Sequence, residues 1–363
     1  MAKDLHHKPF DEETLTKLKL YRQYLREWLP VFLKKENPYF TKINIFDFFC
    51  GPGQDENQVP GSPIISTEEL SPYISLLKAK QKLEVNVYLN EFSLSKHKYL
   101  KSLYEERKVC KGPVNYHFFQ LDFSEAFSKL LPVMQRRSTA NLVFLDQNGV
   151  KHLTNDVFLK LTSLRGTDFL FFVSSSFFVR FKDHPLFRQY FPDLEEQLRN
   201  KRYYNIHRDV LKMYKGWLGK SDWYMGQFTI KRNANIYGLI FGSRNTLGIE
   251  KFLRTCWKED NDRGEANFDI DEDHLDSNNP TLFRELNVAG KLQIFETDLE
   301  KYVLDGKLKT NHSLYKFALI RGCLPDHARH AVKLMLEKKL IPNQKINISQ
   351  GAFKKEETLI QLH

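Results

Sequence analysis

Cysteine is scarce: four in 363 residues, at positions 50, 110, 256 and 323, with no Cys-x-x-Cys pair. That spacing offers neither a zinc or iron–sulfur ligand set nor a disulfide framework. No metal is expected, and the thiols read as free in a reducing compartment. Long apolar runs are also missing. No stretch reaches the ~20 residues of a membrane-spanning helix, and the opening MAKDLHHKPF has no apolar signal core. A soluble, cytoplasmic protein with no membrane partner is the expectation. Repeats and low-complexity segments are absent too. Aromatic residues are plentiful, with 29 Phe and 16 Tyr inside a 41% apolar total, enough for a substantial core. Lys and Arg number 55 against 45 Asp and Glu, a net +10. Such a balance favours anionic partners, nucleic acid first, with scattered surface lysines as the plain alternative.

The string FDFFCGPG, Phe46 to Gly53, follows the apolar run Ile43-Asn44-Ile45. It contains Asp47-x-Phe49-x-Gly51-x-Gly53. A strand that ends in a glycine turn lets the backbone approach a small ligand, because glycine has no Cβ. The pattern is not the G-x-G-x-x-G dinucleotide fingerprint. It has the form of the first nucleotide-binding loop in S-adenosylmethionine (SAM)-dependent methyltransferases.

Helical periodicity covers 11–35, ahead of strand one at 43–49. A long loop, 51–61, carries Asp55-Glu56 and reads as a lid. Ser62-Pro63 then reads as N-cap and first turn of a helix to about Gln81. Strands at 84–90, 114–121, 141–145 and 168–174 alternate with helices at 93–107, 124–136 and 153–164. Continuous apolar strands separated by helices mean a parallel α/β sheet. Residues 223–231 and 235–242 read as an antiparallel hairpin. Five parallel strands plus that hairpin make a Rossmann-like class I methyltransferase sheet. The domain expected for it is 1–258, with a helical insertion at 183–220. Composition turns acidic near 259, as a linker or an ordered surface loop. A mainly helical module is expected over 259–363: two helices and a hairpin at 341–348, either a winged helix or a three-element cap.

Acidic residues end three consecutive strands: Glu91, Asp122 and Asp146. Ligands of open α/β sheets bind at the carboxyl ends of strands. Glu91 suits ribose hydroxyls, and Asp122 with the Phe123 backbone suits an adenine amine. Asp47 either orders the first loop or meets the positive end of a methionine moiety. Asp47, Phe49, Gly51, Gly53, Glu91, Asp122 and Phe123 are the expected SAM contacts. Asp146 and Asn148 stand where amino-directed nucleic-acid methyltransferases carry an acid or amide, so they are the candidate catalytic pair. The prolines and the stacking aromatic usual there are absent, and Asp146 as a plain strand cap is the alternative. Arg180, Lys182, Arg202 and Arg208 lie in a basic, aromatic run with Tyr203, Tyr204 and His207. Such a run either binds nucleic acid or is a solvated helix face. Cys50 reads as a small buried residue.

Together these motifs resemble one family. Asp47 to Gly53, Gly61-Ser62-Pro63, Glu91, Leu121-Asp122, Phe144 to Gly149 and Thr167 to Leu170 are similar to those of the three-Cys-motif partner proteins, as are Tyr237 to Gly242 and Gly264 to Asp269. The resemblance covers about 20–270. It implies a bacterial protein with a SAM-methyltransferase-type fold. It also implies a partner protein whose three cysteines resemble a radical-SAM iron–sulfur motif. With the basic balance and the basic, aromatic run, a methyltransferase acting on or with nucleic acid is the expectation. A non-catalytic binding module with a degenerate cofactor site, in defence against mobile elements, is the alternative. The chain departs from the family's F-L-D-P-[FY]-G at Gln147-Asn148, where two amides replace a proline and an aromatic.

Overall fold

The structure, a computed structural model, describes residues 9–34, 39–80, 82–107, 112–147, 152, 154–174, 206–219, 221–232, 235–271 and 290–362. The chain divides into two compact units: Met1–Trp223 with Thr229–Arg244, and Tyr224–Phe228 with Asn245–His363.

The sheet organises the first unit, although the start of β6, Tyr224–Phe228, groups with the second. Strands β1 (Lys42–Asp47), β2 (Glu84–Asn90), β3 (Val114–Phe119), β4 (Thr139–Leu145), β5 (Thr167–Ser174), β6 (Tyr224–Arg232) and β7 (Asn235–Ser243) lie in the order β3-β2-β1-β4-β5-β7-β6. The first five pair in parallel, and β7 runs antiparallel to β5. This is the strand order of a class I methyltransferase sheet, and the expected α/β architecture is present. Order reverses between β1 and β4, the switch point where such sheets open a crevice at their carboxyl ends. The helices between are α1 (Glu12–Leu33), α2 (Ser62–Leu70), α3 (Ile74–Ala79), α4 (Leu94–Glu106), α5 (Phe123–Met134), α6 (Asn155–Ser163) and α7 (Ile206–Leu218). The helix expected from Ser62 to Gln81 is broken by a 3-10 turn at Ser71–Tyr73. Pro72 lacks the N–H and crowds the preceding turn, and the helix breaks there. Of the 183–220 insertion, Ile206–Leu218 is described and is helical.

Helix α1 begins at an Asp11 cap, whose carboxylate accepts from the Thr14 amide at 2.9 Å. Its buried stripe includes Tyr21, Tyr24, Leu25, Trp28 and Leu29. Tyr21 stacks on Phe144 of β4 at 4.3 Å, and Tyr24 packs on Phe241 of β7 at 5.0 Å. The Tyr24 hydroxyl and the Trp28 indole N–H both donate to Asp168 of β5, each at 3.0 Å. Leu15, an expected member of the stripe, is 41% exposed.

A polar ladder crosses the middle of the sheet. Asn141, Asn44, Asn86 and Asn115 stand in register on β4, β1, β2 and β3. Asn44 donates to Asn141 at 2.9 Å, Asn86 to Asn44 at 3.1 Å and Asn115 to Asn86 at 3.2 Å. Asn141 in turn donates to the Met134 carbonyl and Thr167. Buried amides are tolerated when each is paired.

The second unit contains α8 (Thr246–Glu259), α9 (Lys291–Leu304), α10 (Asn311–Ile320), α11 (Pro325–Glu337) and α12 (Gln350–Phe353). Buried Glu250 of α8 accepts from the Tyr315 hydroxyl at 2.7 Å and from Arg254. The acidic stretch is an ordered loop as far as Asp271: the Asp260 carboxylate accepts from the amides of 262, 263, 265 and 266. Residues 272–289 lie outside the described residues. The hairpin expected at 341–348 is not there, so there is no wing at that place. Thr310 instead bridges Leu359, with Ile360 donating to Lys309 at 2.8 Å. Residues of 341–348 are held by other segments: Gln344 exchanges hydrogen bonds with Gln361, and Asn311 donates to the Asn347 carbonyl. Among the described residues no helix is long and apolar enough to cross a membrane.

Candidate functional site

A cavity of about 740 Å³ opens at the carboxyl ends of β1, β2 and β4, within the first unit. Its floor is the turn after β1. Gly51 and Gly53 adopt φ of 63° and 97°. A Cβ on Gly53 would lie 2.8 Å from Leu100 and strain the backbone as well, so glycine is what lets the chain pass there. Gly61 donates to the Gly53 carbonyl at 2.7 Å and is the cap of α2, the place expected for Ser62.

The 51–61 loop, expected as a lid, is tied by internal hydrogen bonds, and only its ends, Gly51 to Gly53 and Gly61, line the cavity. Asp55 accepts from the amides of Asn57 and Val59 at 2.9 and 2.8 Å, and from that of Phe10 at 2.7 Å. Gln54 is held by Tyr99 and Arg107. An acid that satisfies three backbone donors orders its loop rather than releasing it.

The expected cofactor residues converge here. Phe49, Gly51, Gly53, Glu91, Asp122 and Phe123 all line the cavity, and Gln147 lines it as well. The carboxylate of Glu91 accepts from the Gly51 amide at 3.0 Å and the Ser93 amide at 2.7 Å, which joins β2 to the glycine turn. Asp122 caps α5, accepting from Glu125 at 2.9 Å. Phe49 stacks on Phe123 at 5.3 Å, and the His152 ring leans against both.

Asp47 lies just beneath, 1% exposed. Its Oδ1 accepts from the Phe49 amide at 3.3 Å, while its Oδ2 is buried without a hydrogen-bond partner. Burial pushes this carboxyl up to about 7, against the pull of the Ser62 hydroxyl and the Phe49 amide.

Of the candidate catalytic pair, Asp146 lines the cavity and Asn148 lies outside the described residues. Asp146 is in a close ion pair with the Lys17 ammonium, which also sits 4.5 Å over the Phe172 ring. Lys17 and Glu13, one helical turn apart, are buried and reach the cavity from α1. Burial raises the Glu13 carboxyl to about 7; Lys17 and a Tyr237 hydrogen bond lower it, and Asp11 and Asp146 raise it. Sequence periodicity treats α1 only as a cover. The signal for its role is two charges inside an otherwise apolar stripe.

Beside Asp146, Gln147 is 3% exposed. Its Oε1 accepts from the His152 amide at 3.1 Å, which leaves Nε2 as the free end, and Nε2 has no partner.

The nucleic-acid run is mostly beyond reach: Arg180, Lys182 and Arg202 lie outside the described residues. Arg208 is on α7, half-buried. His207 is a core residue. It is fully buried, its pKa is driven down to about 3 by that burial, and a Cβ on Gly238 would collide with its ring. Cys50, Cys256 and Cys323 are free and buried. Burial raises all three thiols, which makes them poor nucleophiles.

No protein-family model matches the chain, and no curated protein matches it in sequence. Several solved structures are similar in fold. The O-methyltransferase TomG from Streptomyces achromogenes, in complex with SAM, is 15% identical over 66% of this chain and 91% of that one, with a TM-score of 0.33. Trm1 from Pyrococcus horikoshii, in complex with S-adenosyl-L-methionine, is 13% identical over 69% of this chain and 60% of that one, at 0.35. TYW2 from P. horikoshii, in complex with MeSAdo, is 11% identical over 67% of each chain, at 0.31. The fold itself is given by the strand order β3-β2-β1-β4-β5-β7-β6.

Proposed function

We propose that the cavity holds S-adenosylmethionine and that the protein is a methyltransferase acting on or with nucleic acid, alongside a three-cysteine-motif partner. The observation that carries the cofactor is convergence. One cavity joins the glycine turn, Glu91, Asp122 and Phe123 at the switch point of the sheet. The residues fit the group. Leu100 and Leu103 behind the turn leave no room for a side chain at 53, so bare backbone faces the cavity there. The orphaned Oδ2 of Asp47 suits an ammonium donor. Five carboxylates line the cavity (Asp11, Glu13, Glu91, Asp122, Asp146) against two lysines (Lys17, Lys96), although the chain as a whole is basic. An acidic cavity favours a cationic ligand.

When bound, the cofactor supplies a methyl group carried on a sulfonium. The chain's own part is to fix that methyl and exclude water, since alignment supplies much of the rate in such a displacement. Glu91 holds the glycine turn, Asp122 and Phe123 form the far wall, and Asp47 lies beneath the turn. The net charge of +10 and the family resemblance support the nucleic-acid and partner parts of the reading.

Calorimetric titration with SAM and S-adenosylhomocysteine tests the cofactor. Micromolar binding is expected, weakened at least tenfold by Asp122→Ala. Absence of binding removes the reading.

A second reading has one observation in its favour: Asp146 is already occupied by Lys17. On that reading the chain is a non-catalytic module that brings nucleic acid to its partner, in defence against mobile elements. Co-purification with the partner, and loss of the partner's activity without this chain, would distinguish it.

A further inference from the structure

The α1 end of the cavity has features that the cofactor reading leaves unused. Glu13 lines it as a proton acceptor, held by the Tyr237 hydroxyl. Gln147 lines it too, with Nε2 a buried donor that has no partner and the amide orientation set by the His152 N–H. Phe172 and Tyr237, stacked at 5.3 Å, form an aromatic wall. One free donor and one acceptor beside aromatic rings are complementary to the edge of a planar heterocycle bearing an N–H next to a carbonyl or ring nitrogen.

We propose that this end is the methyl-acceptor subsite, that it takes an uncharged nucleobase N–H, and that Glu13 receives the proton displaced by methylation. The inference rests on the SAM reading above. The acceptor nitrogen's lone pair forms the new N–C bond. The methyl–sulfur bond breaks and its electron pair stays on sulfur, which becomes a neutral thioether. The N–H proton passes to the Glu13 carboxylate and then to solvent. Gln147 donates to the neighbouring base acceptor and fixes the edge.

Three observations support the assignment. Lys17 pairs with Asp146 and covers Phe172, so its ammonium neutralises the adjacent acid and leaves Glu13 as the carboxylate for proton transfer. The groups that act on Glu13 are Lys17, Asp11, Tyr237 and Asp146, and with burial they hold its carboxyl at about 7, matched to a base working near neutrality. The acidic lining also disfavours phosphate inside the cavity, so the sugar–phosphate backbone stays outside while the base enters. The two amides at 147 and 148 thus replace a proline and an aromatic with hydrogen-bonding groups, and Gln147 is a specificity residue.

The test uses the full chain and Glu13→Gln, which keeps the side chain's shape. Calorimetry with SAM comes first. Both proteins should bind, and no binding by wild type overturns the cofactor reading and this one with it. In buffers of different ionisation enthalpy near pH 7, wild type should release protons on binding SAM, because a cation favours the charged carboxylate. Glu13→Gln should release fewer, and equal release overturns the placement of Glu13 in the site. Tritiated-methyl transfer from SAM to total RNA and to genomic DNA follows. Label is expected on a base nitrogen of one of them. The variant should lose at least 100-fold in kcat with KM within threefold, and Glu13→Asp should recover part of it. Wild-type rate should rise with pH through about 7. Unchanged kcat in Glu13→Gln overturns the proposal. So does label on ribose, phosphate or protein, or on neither polymer when SAM is bound.

Discussion

The middle of the sheet and its carboxyl edge both bury polar side chains, and they treat them in opposite ways. In the middle, Asn44 is shared between Asn141 and Asn86, and the ladder continues to Asn115. None of its buried amide atoms is left without a partner. At the edge, only a few residues further along β1 and β4, Asp47 Oδ2 and Gln147 Nε2 are buried with nothing to bond. A satisfied polar network fixes register and rigidity. An unsatisfied one costs stability, and at a cavity that cost is relieved when a ligand supplies the missing partner. The contrast separates scaffold from site within single strands.

The largest effect on the scaffold side should come from Asn44→Ala. It removes the centre of the ladder, takes the donor from Asn141 Oδ1 and leaves Asn86 Nδ2 only its bond to Glu84. A loss of about 2–4 kcal/mol is expected from leaving buried amides unpaired. Denaturant titration should show it, with SAM affinity of the folded protein unchanged. A parallel loss of affinity would mean that ladder and cavity are one system.

Asp47→Asn should do the reverse. Replacing the acceptor by an amide should weaken SAM binding by about 10–100-fold, which is ~1.4–2.7 kcal/mol, without lowering stability at pH 8. Its carboxyl titrates at about 7 in the fold, against an unfolded value near ~4. The folded state therefore binds the extra proton, and the stability it contributes is present below pH ~4 and lost as pH rises through about 7. Wild type should lose stability across that window, as Glu13 at about 7 and Asp168 at about 6 also require. The variant should lose less. An identical pH profile in the two proteins would contradict the buried, unpaired state of Asp47.

The smallest effect should be that of Asn115→Ala, at the exposed end of the ladder. Water can replace its bond to Asn86, so less than about 1 kcal/mol is expected. A cost as large as that at Asn44 would show that the ladder acts cooperatively along its whole length.

Much of this was legible in the chain. Strand β2 spans Glu84–Asn90 as its apolar run indicates, and α5, Phe123–Met134, is close to the helix expected at 124–136. The glycine turn announces itself by composition. Other features gave no local sign. Helix α8, capped by Asn245, occupies a stretch between the hairpin and the acidic turn to which the sequence assigns no element. The residues at 341–348 have strand-like composition but find no partner strand, and propensity without a partner makes no sheet. The four asparagines are visible as isolated polar residues in strands, yet they become a ladder only once register is known.

The sequence by itself determined the elements and where many of them stop, because periodicity, caps, prolines and glycines act over a few residues. It also determined that three acids and a glycine turn end consecutive strands. Only the tertiary structure decided that Glu13 and Lys17 stand against Asp146, and that Tyr237 closes the same cavity. Those meetings depend on strand order and on the seat of α1 across β4 and β7. Such contacts join residues more than a hundred positions apart, where packing of the whole core rather than local preference sets the outcome.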